Sequence, residues 1–265
     1  MRRRRVCAAT LFTLLILGCT TRAHREPGAP GEEPVAGATG NDRSAPQHVR
    51  AEDGFLAPNA EDVDGTPAYI HYTREDMPIR VNVELPRLAA RYASRDETDA
   101  GVVHAIRAWE TAIQPALPWF RLEIVRDDPK ADISVEWKTR ILGEASGWGG
   151  IGWGGIGWEM VDGRLRAKGH LQYATKPCLE VSCQLDLPHL ELLVAHEFGH
   201  TLGLGHCLDC DSAMNYSWET LERTVVTATD VQTISALYQI PNGTRVDGKL
   251  LIPMREVDGR REPRE

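Results

Sequence analysis

Alternating apolar and polar residues mark several short stretches of the chain. Residues 77–85 have the sequence MPIRVNVEL, in which apolar and polar side chains alternate as in a strand with one buried face. The same alternation recurs at residues 120–125 (FRLEIV), 131–137 (ADISVEW) and 170–174 (HLQYA). The pattern predicts four strands, each half buried in a sheet.

Two other stretches place apolar residues three and four positions apart, which is the spacing of a helix. The first covers residues 98–113 and has Thr98 or Asp99 as its expected N-cap, because either side chain can accept a backbone hydrogen bond there. The second covers residues 227–240. Each stretch carries its apolar residues on one side.

Residues 186–203 (DLPHLELLVAHEFGHTLG) predict a third helix, with a marked start and stop. Asp186 can cap the helix, Pro188 suits its first turn, and Gly203 suits a left-handed residue after its last turn. Strands come first along the chain, and a helix that bears histidines follows them. The predicted fold class is therefore α+β.

Residues 147–158 (GWGGIGWGGIGW) repeat the five-residue unit Trp-Gly-Gly-Ile-Gly. Glycine permits sharp turns, so we expect the repeat to form a surface loop whose tryptophans pack on the sheet. An aromatic loop that binds sugar or lipid is the alternative.

The beginning of the chain has the features of an export signal. Four arginines follow Met1, and the apolar segment that ends at Gly18 is too short to span a membrane. The sequence ILGC at residues 16–19 resembles the lipobox of bacterial lipoproteins, which implies cleavage before Cys19 and acylation of its thiol. Ordinary signal peptidase cleavage nearby, for example after Ala23, is the alternative. Either route takes the protein out of the cytosol.

Beyond the signal peptide (residues 1–18), the chain is expected to have three parts. A segment rich in Pro, Gly, Ala and Glu is typical of a flexible tether. A folded domain follows, and the last segment is a polar tail. The expected bounds are 19–66 for the tether, 67–240 for the domain and 241–265 for the tail.

The composition changes this picture little. Of 265 residues, 42% are hydrophobic and 26% charged, which fits one globular domain with additional disordered sequence. The net charge is −8, and removal of residues 1–18 with their four arginines would leave 26 basic and 38 acidic residues, or −12. This balance argues against a nucleic-acid partner, because phosphate binding needs basic patches.

Four cysteines remain once the signal peptide and the lipidated Cys19 are set aside: Cys178, Cys183, Cys207 and Cys210. An even number in an oxidising compartment suggests two disulfides. Short loops favour the local pairing, 178–183 with 207–210. A bridge that links the two loops stays open as the rival.

The sequence HEFGHTLGLGH, residues 196–206, concentrates three histidines and one glutamate. His196 and His200 are four residues apart and therefore lie on one face of the predicted helix. Gly203 can turn the chain back, so that His206 approaches the same point. Three imidazoles bind zinc and leave a fourth position for water, which Glu197 can reach without ligating the metal.

Cys207 and Cys210 raise a second interpretation, because a sulfur as fourth ligand would close the site, as in structural zinc sites. Cys207 is adjacent to His206, however, and neighbouring side chains in a turning segment generally diverge. In an exported chain both thiols are expected to be oxidised. The cysteines are therefore predicted to flank an open zinc site without binding the metal.

These residues resemble a known family. HEFGHTLGLGH matches the zinc motif HExxHxxGxxH of the metzincins, and SAMNY at residues 212–216 resembles their Met-turn, with Met214 packed beneath the metal. The first and last predicted helices resemble those of matrixins. The resemblance implies a twisted mixed sheet with an active-site helix, and it places residues 168–174 where metzincins have an edge strand that pairs with substrate.

Carried over residue by residue, the resemblance makes His196, His200 and His206 the zinc ligands and Glu197 the general base. Tyr216 matches a tyrosine of astacins and serralysins that stabilises the oxyanion, whereas matrixins usually have proline there. A matrixin cysteine switch is excluded, because no cysteine lies between Cys19 and Cys178.

One catalytic zinc is expected, because His170 is the only histidine near the position of the matrixin structural zinc. A calcium site that uses surface acids such as Asp162 stays open.

The sequence therefore predicts a lipid-anchored zinc endopeptidase of the bacterial cell envelope, on the periplasmic or cell-surface side, or a secreted one. Its partners would be a protein or peptide substrate and the membrane, and a monomer is the default expectation. Residues 217–227 would shape the specificity pocket. The alternative is a non-catalytic binding lipoprotein that keeps a zinc-stabilised metzincin fold.

Overall fold

The computed structural model describes residues 56–62, 65–138, 152–174, 185–207, 210, 212–215 and 226–250, together with the backbone of 254–257 and 260–263. Several predictions lie outside these residues: the signal peptide and Cys19, most of the tether, Cys178, Cys183, Tyr216 and the segment 217–225. In chain order the described elements are β1 (Ala60–Glu61), β2 (Pro67–Tyr69), β3 (Ile79–Val83), α1 (Arg95–Ile113), β4 (Leu122–Val125), β5 (Ile133–Lys138), β6 (Gly152–Val161), β7 (Arg164–Ala174), α2 (Leu187–Thr201), α3 (Ala228–Leu237), β8 (Thr244–Arg245), β9 (Met254–Val257) and β10 (Arg260–Pro263).

A five-stranded mixed sheet is the centre of the fold, in the order β4-β3-β5-β7-β6. The strands β4, β3, β5 and β7 run parallel to one another, and β6 pairs antiparallel with β7. Alternate residues of β3, β5 and β7 point to a buried face, such as Val81 on β3, Val135 on β5 and Leu171 on β7. The α+β class predicted from the alternation is confirmed.

The described part of the glycine-rich repeat forms a strand where we expected a loop. Residues 152–158 are part of β6, whose ten residues pair with β7 from Gly152 opposite Tyr173 to Val161 opposite Arg164. Glycine has low strand propensity, so the local sequence does not predict this pairing. The β-hairpin with β7 imposes it.

The turn of that hairpin is Asp162–Gly163. Both residues have positive φ angles, 51° and 77°. Such a turn matches the twist of the flanking strands, and Asp-Gly is one of its preferred sequences. Asp162, considered above as a calcium ligand, therefore has a structural role in this turn.

The position of β6 also corrects the expected substrate edge. Residues 168–174 were predicted to form the edge strand, but β7 lies between β5 and β6. Among the described strands, β6 ends the sheet on this side.

Helix α1 begins at Arg95, three residues before the predicted stretch. Ser94 is its N-cap, because the Ser94 Oγ accepts a hydrogen bond from the Glu97 N–H (3.2 Å) and the Glu97 carboxylate accepts one from the Ser94 N–H (2.7 Å). Thr98, one of the expected caps, is buried within the first turn. Trp109 then joins α1 to α2, since its indole N–H donates to the Ala195 carbonyl at 2.9 Å.

A second, small sheet pairs strands from the beginning and the end of the described domain. β2 pairs antiparallel with β1 and with β8. Beside it, the Arg245 guanidinium and the Asp62 carboxylate form a buried ion pair at 2.8 Å. The folded region therefore extends beyond the expected boundaries at 67 and 240. Within the described residues, no helix is both long and apolar enough to cross a membrane.

Candidate active site

Helix α2 carries the first part of the site. It begins at the predicted cap, Asp186, whose carboxylate accepts a hydrogen bond from the His189 N–H at 3.0 Å. Nearly all residues of its second half are buried. His196 and His200 lie one turn apart on this helix, and their ring centroids are 4.9 Å apart.

The chain reverses at Gly203, as its sequence position predicts. Its φ of +100° is a left-handed conformation that side-chain-bearing residues rarely adopt. The turn places the Leu204 carbonyl 2.8 Å from His200 Nδ1. It also carries His206 back to the helix, with ring centroids 5.1 Å from His196 and 4.7 Å from His200.

The segment around Met214 packs against the histidine-bearing part of α2. Met214 is fully buried, and a Cβ atom on Gly199 would lie only 2.2 Å from its sulfur. Its backbone carbonyl accepts a hydrogen bond from the Cys207 N–H (2.7 Å), which fastens this segment to the one that carries His206. The preceding carbonyl, on Ala213, accepts from His196 Nδ1 at 2.7 Å.

The three histidines offer one nitrogen each, and these atoms all lie within 4.8 Å of one another. The carbonyls of Ala213 and Leu204 can only accept, so the Nδ1 atoms of His196 and His200 carry the protons. In neutral imidazoles, the Nε2 atoms then present lone pairs, and they face each other at 3.3 Å.

Two lone pairs at that separation repel unless a cation lies between them, so the donor set fits a metal ion. The electrostatics agree. Burial lowers the pKa of His196 to about 3 and that of His200 to about 4, and it also lowers the pKa of His206. Neutral imidazoles are the form that zinc requires. The three-histidine zinc site predicted from the sequence is confirmed.

Within the part of the chain that the structure describes, the site is exposed on one side. His196 is buried, His200 is half-buried and His206 is exposed. A substrate can therefore reach the point where the nitrogens converge. The cysteines do not close it, because Cys207 and Cys210 are joined in a disulfide with an S–S distance of 2.06 Å. Neither sulfur is available as a thiolate ligand.

Glu197 lies next to the first histidine, and only 8% of its surface is exposed. Burial raises the pKa of Glu197 to about 7, and a hydrogen bond from the Gly154 backbone N–H opposes part of that rise. A carboxyl group with a pKa near neutrality can both accept and release a proton at physiological pH.

Glycines of β6 allow this contact between strand and helix. A Cβ atom on Gly154 would meet the Glu197 backbone oxygen at 2.1 Å, and one on Gly152 would meet a Glu197 carboxylate oxygen at 2.8 Å. The residues 152 and 154 both face α2, so only a strand without side chains there can lie so close. The sequence analysis missed this role, although the repeated glycines were its signal.

The carbonyls of Ala213 and Leu204 were also missed. Any residue supplies a backbone carbonyl, so the sequence carries no signal for either. Both fix the tautomer of a ligand, as is usual for metal-bound histidines.

A mixed sheet backed by helices, with three histidines converging from a helix and the segment after it, defines a zinc metallopeptidase of the metzincin class. Comparison with known protein families agrees with this class. The family model described as Matrixin (Peptidase M10) matches residues 82–239, which is more than half of the chain. The chain belongs to the matrixin family and contains its zinc endopeptidase domain, with the histidine triad intact and Glu197 buried beside it. Proteins are therefore its class of substrate.

Proposed function

We propose that this chain is an exported, lipid-anchored endopeptidase in which Glu197 is the general base of peptide-bond hydrolysis. The observation that carries the catalytic part is the position of Glu197: it directly follows the ligand His196 on α2, and it is buried beside the three converging imidazoles.

When held by the three imidazoles, zinc would supply a Lewis acid that polarises a carbonyl and lowers the pKa of water to about 7. Glu197 accepts the proton of the attacking water and delivers it to the leaving amine. The Gly154 N–H holds the carboxyl group during both transfers. The exposed side of the cluster, at His206, is where the scissile bond enters.

The substrate would lie along β6. This strand ends the described sheet on the side of the site, and an extended peptide can add to such an edge through backbone hydrogen bonds. Tyr216, two residues after Met214, would donate a hydrogen bond to the oxyanion. The segment 217–227 would shape the specificity pocket.

The first residues support export and anchoring. MRRRR and the apolar segment up to Gly18 are typical of a signal peptide, and ILGC supports lipidation at Cys19. The tether that follows would hold the catalytic domain away from the membrane surface, on the periplasmic or outer side of the envelope.

The rival function, a non-catalytic binding lipoprotein, drew its support from the Trp-Gly repeat as a ligand-binding loop. The described half of that repeat is β6 and contacts the buried Glu197. A peptidase function accounts for this contact, and a binding loop does not.

Two experiments test the proposal. Purified protein should cleave casein or quenched peptides, and a chelator should abolish the cleavage. Unchanged cleavage in the presence of the chelator would contradict the mechanism. For the anchor, wild-type chain should incorporate labelled fatty acid and fractionate with membranes, whereas Cys19→Ala should do neither. Equal labelling of both would remove Cys19 as the lipid site.

A further inference from the structure

The segment that precedes the family-matched residues contributes a side chain to the support of the zinc site. Asn59 lies in the region expected to be tether, 23 positions before residue 82, where the matrixin match begins. Its side-chain amide donates to the carbonyls of Ile70 (2.8 Å) and Gly203 (3.0 Å). Its oxygen accepts from the Ile70 N–H at 2.8 Å. One side chain thus joins three segments of the chain.

The third of these segments is the turn between the second and third zinc ligands. A Cβ atom on Gly203 would lie 2.6 Å from Asn59 Nδ2 and 3.0 Å from the Ile70 oxygen. Asn59 therefore packs directly on the turn and bonds to it. The next carbonyl along the chain, on Leu204, is the one that fixes the tautomer of His200. Two successive carbonyls of one turn are held, one by Asn59 and one by a zinc ligand.

Asn59 has its own anchors away from the metal. Its backbone N–H donates to the Ala68 carbonyl at 3.0 Å, so it continues the pairing of β1 with β2. Three residues later, Asp62 forms the buried ion pair with Arg245. The Asn59 side chain therefore extends to the turn at Gly203 from a backbone that is fixed by β-pairing.

We propose that Asn59 is a positioning residue for the zinc ligands. By holding the Gly203 carbonyl, it fixes the turn in the conformation that orients the His200 imidazole and brings His206 to the same point. The proposal rests on the three-histidine zinc site and does not depend on the role of Glu197 in catalysis. Loss of a hydrogen bond made to a ligand itself typically weakens metal binding by about 10-fold to 100-fold; Asn59 bonds to the residue before the Leu204 carbonyl, so we expect the lower end of this range.

The test measures zinc affinity in the full chain, by competition with a chromogenic chelator. Asn59→Ala should raise the zinc Kd by about 10-fold or more. Asn59→Asp keeps an acceptor for the Ile70 N–H but loses the donor to Gly203, so it should weaken zinc binding as well. At saturating zinc, both variants should regain peptidase activity, because Glu197 is unchanged.

Asn242→Ala is the matched control. The Asn242 side-chain oxygen accepts from the His71 N–H at 3.0 Å, so this substitution removes the same kind of hydrogen bond from the same part of the fold without touching the turn. Its zinc Kd should stay at the wild-type value.

Three outcomes would overturn the proposal. One is a zinc Kd of Asn59→Ala within twofold of wild type. Another is an equal loss of affinity in Asn242→Ala, which would reflect general loosening of the small sheet. The third is failure of both Asn59 variants to fold, judged by circular dichroism, which would make Asn59 a residue of the global fold. If Glu197 were not the general base, all of these zinc affinities would stay the same. A failure of the proposed mechanism is therefore distinguishable from a failure of the role proposed for Asn59.

Discussion

Gly154 and the backbone of Glu197 are in such close contact that a Cβ atom on Gly154 would lie 2.1 Å from the Glu197 carbonyl oxygen. The opposing oxygen belongs to a helix backbone and cannot rotate away, so strand and helix would have to separate. The same strand offers a comparison, because a Cβ atom on Gly157 would meet its nearest neighbour, the Lys168 oxygen, only at 4.0 Å.

We therefore expect Gly154→Ala to lower kcat by about 10-fold or more, with zinc still bound, because β6 moves away from the Glu197 carboxyl group. Overpacking should also lower the free energy of unfolding by about 1–3 kcal/mol. Gly157→Ala should show neither change. Steady-state kinetics and thermal denaturation measure both effects, and equal kinetics for the two variants would exclude this role of Gly154.

Replacement of the carboxyl group itself should separate metal binding from turnover. Glu197→Ala and Glu197→Gln should retain zinc, because the three imidazoles are untouched, while kcat falls by about 10²-fold to 10⁴-fold. Metal analysis and peptide cleavage on the same sample provide the measurement. An active, zinc-loaded Glu197→Ala protein would show that another group accepts the proton.

Loss of the exposed ligand should release the metal. His206→Ala should bind clearly less zinc than wild type, and a chelator should remove the remainder more readily. Since zinc binds the folded state, a chelator should also lower the Tm of wild type. The Tm of His206→Ala should change little. At a zinc concentration of 100 Kd, the bound ion raises the free energy of unfolding by about 2.7 kcal/mol. Unchanged zinc stoichiometry in His206→Ala would be inconsistent with its role as a ligand.

Tyr216 should act only in the transition state. We expect Tyr216→Phe to lower kcat by about 10²-fold, with a smaller rise in KM, because the lost hydroxyl would stabilise an oxyanion that the ground state lacks. Wild-type kinetics for Tyr216→Phe would reduce this side chain to a packing role.

The cap of the active-site helix should contribute to stability in a pH-dependent way. Asp186→Ala should lower the free energy of unfolding by about 1 kcal/mol. Asp186→Ser should keep the free energy of unfolding close to that of wild type, because serine is also a good N-cap. The backbone N–H of His189 lowers the pKa of Asp186 in the folded state. The contribution of Asp186 to the free energy of unfolding is therefore fully present above its unfolded pKa of about 3.9. This contribution is lost as the pH falls through the lower pKa of Asp186 in the folded state. Denaturant titrations at pH 7 and pH 3 should show the difference between wild type and Asp186→Ala narrowing in acid.

The features predictable from the sequence were those with a local cause. Asp186, Pro188 and Gly203 mark the ends of α2 through their own conformational preferences, and the four-residue spacing of His196 and His200 fixes their common face. Two local signals were available but overlooked: Ser94 with Glu97 as a capping box for α1, and Asp162–Gly163 as a hairpin turn.

The rest depends on contacts between distant segments. β6 is a strand because β7 pairs with it and because α2 leaves no room for side chains at Gly152 and Gly154. Asn59 bonds to Gly203 across 144 positions of sequence, and no local pattern around either residue indicates this. The alternation of apolar residues thus predicted the layers of the fold, but not which strand would end the sheet.

The ion pair between Asp62 and Arg245 limits where the chain can be shortened. A recombinant fragment that starts at residue 67, where the sequence pattern suggests that folding begins, would lack Asp62 and keep the arginine. The guanidinium would then lose that carboxylate and keep the one of Asp247 at 3.0 Å, so the loss of stability should fall below about 3–5 kcal/mol, the cost of a buried charge left uncompensated. An intact catalytic unit therefore has to begin before Asp62 and extend past Arg245, even though neither end contains a zinc ligand.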